Sequence, residues 1–247
     1  MSPPLPPPVQ QVAVVVPARN EQRLLTGCLA ALAAAAERVT VPVTVLVVLD
    51  RCTDGTAEML AGRPGVRSVE SLAGCVGAAR ATGAARAIAD TGAPPRRTWL
   101  ACTDADSQVP PSWLAHHLDL ADRGADLVLG TVDLPPAEDE GDHVGGWRAA
   151  YRRLLGPGGR HPHVHGANLG VRGSAYLAVG GFLPVPAHED RLLARAVTHL
   201  PGARIVTTTA HPVLTSPRLV SRAPLGVGAD LRALAELCRR PRAAVAE

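Results

Sequence analysis

The stretch Val12-Ala13-Val14-Val15-Val16-Pro17-Ala18-Arg19-Asn20-Glu21 decides the fold. Its first five residues are apolar and mostly β-branched, with no polar alternation, the mark of a strand buried on both faces. Pro17 brings no N–H to a ladder and ends the run, and polar residues follow at once. Working outward, the pattern repeats. A helical stretch covers Glu21 to Glu37, and a second strand from Val43 to Leu49 stops at Asp50. Thr56 to Leu60 reads as helical, Val66 to Val69 as extended and Val76 to Ala89 as helical. Thr98 to Thr103 is a further strand, and Pro111 to Asp122 is a helix with Pro110 and Pro111 at its start. Asp126 to Thr131 closes the series. Alternating β and α elements with short connections imply an α/β fold, a mainly parallel central sheet flanked by helices. Ligands of such sheets bind beyond the carboxyl ends of the strands. That rim holds Arg19, Asn20 and Glu21, then Asp50, then Asp104 and Asp106.

The texture divides the chain. Residues 1–9, with Pro3, Pro4 and Pro6 to Pro8, read as a disordered leader. Residues 10–131 and 132–215 read as two halves and 216–247 as a helical tail. Residues 133–145 are acidic and proline-containing and read as a mobile loop. The repeat Gly-Ala-Ala-Arg-Ala at 77–81 and 83–87 reads as one small-residue helix packed closely on the sheet.

Composition narrows the chemistry. All 25 basic residues are arginine, so lysine chemistry is excluded, and a net charge of +3 is too small to make nucleic acid the main partner. Five cysteines, widely spaced and never in a Cys-x-x-Cys pair, fit reduced thiols in a cytoplasmic protein rather than zinc or disulfides. The start lacks the basic-then-apolar pattern of a signal peptide, and no stretch approaches the ~20 apolar residues of a membrane span. Leu231, Leu234 and Leu237, with Arg239, Arg240 and Arg242 beyond, form an amphipathic helix. Such a helix packs on its own domain or touches a membrane surface peripherally.

Several residues suit chemistry. Asp104-Ala105-Asp106 follows a strand, and two carboxylates there can hold a hard divalent cation while leaving positions for substrate phosphates; the same tripeptide also serves as a turn and helix cap. Pro17-Ala18-Arg19-Asn20-Glu21 offers donors to an anion at a helix start, or is a plain strand-to-helix turn capped by Asn20. Asp50 can accept from a base N–H or a ribose hydroxyl, while Asp54-Gly55-Thr56 is a turn. Arg80 is placed either for a diphosphate or as a solvated arginine. Glu189-Asp190 opens a helix from Arg191 to Leu200, where a carboxylate is a candidate general base or a helix-terminus charge. His161, His163 and His165 fall on one side of an extended chain, as a metal site or as a loop near the acceptor. His211 completes a metal's ligands or simply ends a strand.

Taken in order, these segments resemble the family 2 glycosyltransferases with a GT-A-type fold. The resemblance runs from about Val12 to Gly228 and rests on Val14 to Glu21, Asp50 to Thr56, Asp104 to Asp106, His165 to Arg172, Gly180-Gly181-Phe182 and Glu189-Asp190. It implies a nucleotide-sugar-binding first half, residues 10–131, and an acceptor-binding second half, residues 132–215. It also implies that Pro17, Ala18, Arg19, Asn20, Glu21 and Asp50 line the nucleotide pocket with Arg80 near the diphosphate. Asp104 and Asp106 look like the Asp-x-Asp motif, the second holding Mg²⁺ or Mn²⁺. Asp190 matches the catalytic base of inverting members, and Asn168, Gly181, Phe182 and Glu189 the sugar and acceptor side. Cys52 stands where Ser or Asn is usual, and Ala81 where many relatives have Asn. Processive synthases carry a Gln-x-x-Arg-Trp segment and membrane spans that this sequence lacks, so a single transfer from a nucleotide diphosphate sugar is implied.

Rival classes fit less well. Nucleotidyltransferases and dinucleotide-dependent oxidoreductases open on a glycine-rich loop after the first strand, and here that place holds Pro17-Ala18-Arg19-Asn20. A non-catalytic nucleotide-sugar-binding module shares every one of these motifs and differs only in lacking turnover.

Overall fold

The computed structural model describes residues 6–63, 65–135, 142–218 and 227–239. The expected leader lies outside them in its first five positions. Its end is held to the domain: Val9 is buried and its N–H donates to Asp122 Oδ1 at 2.9 Å. The middle of the expected acidic loop, residues 136–141, also lies outside, as do 219–226 and 240–247 of the tail, including Arg240 and Arg242.

One eight-stranded sheet forms the centre. Its strands are β1 (Gln11–Ala18), β2 (Val43–Asp50), β3 (Val66–Ser71), β4 (Thr98–Cys102), β5 (Ser107–Gln108), β6 (Leu127–Asp133), β7 (Leu169–Arg172) and β8 (Ile205–Thr215), in the order β3-β2-β1-β4-β7-β6-β8-β5. Pairs β3/β2, β2/β1, β1/β4 and β6/β8 are parallel, and β7 lies antiparallel to both β4 and β6. Because β7 reverses the direction twice, β6 and β8 again run with β1 to β4, and only β7 and β5 oppose them. The carboxyl ends of six strands therefore share one rim.

Pro17 stays inside β1, one residue beyond its expected last position, for a reason visible in the ladder. Pairing with β4 stops at Val15 opposite Cys102, and Val15 O accepts from Thr103 N–H on that side. The missing donor of Pro17 falls where that partner has ended. The first helix, α1 (Leu25–Ala36), starts four residues later than the sequence suggests, since Glu21 to Leu24 form a turn. The stretch read as helical from Thr56 contracts to one 3₁₀ turn at Glu58–Leu60.

Apolar packing covers both faces of the sheet. On one face α1, α3 (Trp113–Asp122), α4 (Asp142–Arg153) and α7 (Val227–Arg239) bury Leu25, Leu32, Trp113, Trp147 and Leu231 against Val12, Val14 and Val16. Leu231 thereby packs on its own domain; the side chain of Leu237 is outside the described residues. On the other face α2 (Val76–Asp90), α5 (Gly173–Ala178) and α6 (Glu189–Thr198) cover Ala13, Val15 and Val48. The repeat in α2 does what small residues permit. A Cβ on Gly83 would stand 2.5 Å from Val15 Cγ1 and 2.7 Å from Val48 Cγ2, so the helix backbone rests directly on the strands. No described helix is long and apolar enough to cross a membrane.

Candidate functional site

The rim is built from loops that tie one another down. After β1, Asn20 takes a left-handed backbone (φ 56°). Its Oδ1 accepts from Thr53 N–H at 2.7 Å, so it pins the loop after β2 rather than capping α1. Glu21 N–H donates to buried Thr56 Oγ1 at 2.9 Å, and Gly55 N–H to Gln22 Oε1 at 3.1 Å. Asp54 accepts from Thr56 N–H at 3.0 Å, the turn role read from the sequence. The Cys52 thiol donates to Ala18 O at 3.4 Å, so cysteine keeps the same two loops joined. Asp50 is buried, and its Oδ1 accepts from Ser71 Oγ at 3.0 Å and Gly74 N–H at 2.9 Å, hanging the loop after β3 on the end of β2.

These ends and the start of α6 enclose a cavity of about 480 Å³. Its lining includes Pro17, Ala18, Arg19, Glu21, Asp50, Arg80, Asp104, Ala105, Asp106, Glu189 and Asp190. Asp104 and Asp106 sit in the turn after β4, where Ser107 N–H donates to Asp104 O at 3.0 Å. Desolvation, then the negative charge of Asp104, push the Asp106 carboxyl up to about 6, against the pull of Arg218. Asp190 Oδ2 accepts from Gly166 N–H at 2.8 Å and its Oδ1 from Arg191 N–H at 2.7 Å. Two backbone donors therefore fix that carboxylate at the cavity wall. His188, which precedes α6, is left-handed (φ 64°), as is Arg51 after Asp50 (φ 53°). Such backbone costs on the order of 1–3 kcal/mol per residue and gathers at functional sites.

Arg80 is neither solvated nor open to a diphosphate through its ends. Only 3% exposed, it gives one terminal nitrogen to Asp104 and the other to Glu189. Gly166 backs this guanidinium closely enough that any side chain there would strike it. One buried cation thus joins the Asp104 turn to the first residue of α6. Burial lifts the Glu189 carboxyl above its ordinary range, with Arg80 acting the other way.

Three residues expected on the sugar and acceptor side do not reach the cavity. Asn168 is buried behind it as a bracket: its Oδ1 accepts from Trp113 Nε1 at 2.8 Å, and its Nδ2 donates to Thr131 O at 2.8 Å. Phe182 packs edge-on against Tyr176 at 5.5 Å, with Gly181 (φ 77°) turning the chain beside that ring. Neither histidine reading as metal ligand is met. His211 lies inside β8, with Nδ1 2.8 Å from Ser112 Oγ, off the cavity wall. His161, His163 and His165 do share one side, but as a stack with Tyr151, His163 lying 3.8 Å from the tyrosine ring. Their Nε2 atoms face Leu129 O, Tyr151 O and Tyr151 Oη respectively. Among the described residues no group of three His, Cys, Asp or Glu is set to hold a metal.

The sequence reading missed Arg218, three residues beyond β8. Its Nη2 lies 2.7 Å from Glu21 Oε1 and 2.8 Å from Asp106 Oδ2, in the cavity. The signal was available: β8 is one of the strands whose carboxyl ends make the rim, and the rule that found Asp50 applies equally to Ser216-Pro217-Arg218.

Comparisons agree with this architecture. The family model described as Glycosyl transferase family 2 matches residues 13–176. No curated protein matches the sequence. Among solved structures, Staphylococcus aureus TarS 1–349 in complex with UDP-GlcNAc superposes with a TM-score of 0.61 at 14% identity, over 94% of this chain and 68% of that one. The mannosyltransferase PcManGT from Pyrobaculum calidifontis, in complex with GDP-Man and Mn²⁺, superposes with a TM-score of 0.60 at 19% identity, over 98% and 68%. The fold is that of the GT-A glycosyltransferases. With its first strand, its Asp104–Asp106 turn and most of its sheet inside the matched region, the chain belongs to glycosyl transferase family 2.

Proposed function

We propose that this protein is an inverting glycosyltransferase. It transfers a sugar from a nucleotide diphosphate donor to an acceptor hydroxyl, with Mg²⁺ or Mn²⁺ on the donor side. One observation carries the reading: the Asp104–Asp106 turn and Asp190, more than 80 residues apart in sequence, line the same cavity. Arg19, Glu21 and Asp50 on the adjoining strand ends are the nucleotide side of that cavity. The nucleotide sugars held by TarS and PcManGT support the donor class.

The donor set suits a hard cation. Such an ion needs only one or two carboxylates when substrate phosphates and waters complete its shell. Asp106 already faces a positive group, the guanidinium of Arg218. Asp106, with Asp104 beside it, would hold the ion. Bound there, the ion supplies Lewis-acid neutralisation of the departing diphosphate. Asp190, oriented by Gly166 and Arg191 N–H groups, takes the acceptor's proton as the new bond forms, a role worth ~10²–10⁴ in rate. Attack on the face opposite the diphosphate inverts the anomeric centre.

Thermal unfolding with a panel of nucleoside diphosphates, nucleotide sugars and dinucleotides tests the reading, because a ligand of the native state alone raises apparent stability, by ~2.7 kcal/mol at a hundredfold excess over Kd. A nucleotide sugar should stabilise the protein, and more so with Mn²⁺. Stabilisation by dinucleotides alone would overturn the assignment. Binding without turnover against any acceptor or water would reduce it to a nucleotide-sugar-binding module.

A further inference from the structure

Three elements that are distant in sequence meet at one point of the cavity. Glu21 comes from the loop after β1, Asp106 from the turn after β4 and Arg218 from beyond β8. Arg218 Nη1 donates to Glu21 Oε2 at 2.9 Å and Nη2 to Glu21 Oε1 at 2.7 Å, a two-pronged grip, while Nη2 also lies 2.8 Å from Asp106 Oδ2. Two carboxylates brought together out of water repel unless a cation stands between them. The guanidinium is that cation.

The cavity's two buried-carboxylate arginines differ in one respect. The Arg80 side chain is 4% exposed and enclosed by α2, the Asp104 turn and α6. The Arg218 side chain is 27% exposed and stands on a segment outside any strand or helix. Of the two guanidinium groups, Arg218 is therefore the one that solvent reaches and that no helix or strand holds in place, so its contacts are the ones open to exchange. Arg218 holds Asp106 Oδ2 and Ser107 Oγ donates to Oδ1 at 3.3 Å, so a divalent ion arriving at this carboxylate meets a guanidinium of the same sign of charge already on it.

We propose that Arg218 is the resident cation of the donor site and that a divalent ion enters by displacing it. Metal uptake and release of Arg218 from Glu21 and Asp106 are then one exchange. This rests on the reading of Asp106 as the metal ligand. It adds that the chain competes with its own metal, so that affinity for the bare ion is set by Arg218.

Mn²⁺ alone, without nucleotide, is titrated into the whole protein and free ion is followed by electron paramagnetic resonance. If Arg218 occupies the site about nine-tenths of the time, its removal tightens apparent binding ~10-fold. Arg218→Ala should therefore bind Mn²⁺ more tightly by that order, and Arg218→Lys, which keeps the charge, by much less. Equal or weaker binding by Arg218→Ala overturns the exchange while leaving the metal assignment intact. If neither parent nor variant binds Mn²⁺ although nucleoside diphosphate binds, the metal role of Asp106 falls and the exchange with it. A second measurement needs no variant. Phenylglyoxal modification of Arg218, located by peptide mapping, should accelerate several-fold on adding Mn²⁺, with Arg19 as internal reference; an unchanged or slower rate overturns the proposal.

Discussion

Arg80 and Asp190 show how single side chains carry this site, and each supports a prediction. Arg80 answers Asp104 and Glu189 together from full burial. Removing one member of a buried ionic group leaves uncompensated charge and costs ~3–5 kcal/mol. Arg80→Gln should lose stability of that order in urea denaturation, and Arg80→Lys should recover only part of it because one ammonium lacks the fork that reaches both carboxylates. A loss below about 1 kcal/mol in Arg80→Gln would mean the group is not the tie it looks like. Asp190→Asn keeps the shape while removing the basic oxygen. It should bind a nucleotide sugar with the parent's Kd yet transfer ~10²-fold or more slowly; parent-like turnover would remove Asp190 from the mechanism. The carboxylates of the cavity were legible as types at strand ends. The pairing of Arg80 was not, since nothing local distinguishes one arginine among 25 from another.

At the scale of elements, glycines separate two helices that each carry two of them. In α2, a methyl on Gly83 would collide with Val15 and Val48, whereas Gly145 in α4 has open space around its Cβ position. Alanine gains up to ~1 kcal/mol of helix propensity over glycine, and overpacking costs ~1–3 kcal/mol. Gly83→Ala should therefore be destabilised and Gly145→Ala stabilised or unchanged, as read by chemical denaturation. Like-signed shifts in the two variants would contradict the packing described. Close packing of α2 was legible because its small residues repeat. The start of α4 was not: acidic and proline residues precede it, and Gly145-Gly146 depress helix propensity. The helix forms because Val144, Trp147 and Tyr151 recur at helical spacing and bury one face in the core.

Across the whole molecule, buried imidazoles couple folding to pH. Burial pushes His117 down to about 3 and His165 down to about 4 from the ordinary 6.5. Trp99 Nε1 donates to His117 Nδ1 at 3.3 Å, a contact that requires that nitrogen unprotonated. As pH falls below 6.5 the unfolded chain takes up protons that the native state refuses, so stability present at neutral pH is lost progressively toward pH 4. Asp106, raised to about 6, works in the opposite sense, because there the native state holds the extra proton. Comparing variants isolates one group. His117→Gln should show a shallower loss of stability between pH 6.5 and 4, by up to ~1.4 kcal/mol per pH unit; parallel slopes would show that His117 titrates freely. The sequence by itself determined the strand runs, their alternation with helices and the acidic residues at their carboxyl ends, because apolar periodicity and the residues that break it are local properties. Only the tertiary structure decided which charges meet: that Arg80 bridges Asp104 and Glu189, that Asn168 and Phe182 stand behind the cavity, and that Arg218 fills the gap between Glu21 and Asp106. Burial raises the cost of an unpaired charge, and the partner that relieves it is chosen by how the chain crosses the sheet, not by its neighbours in sequence.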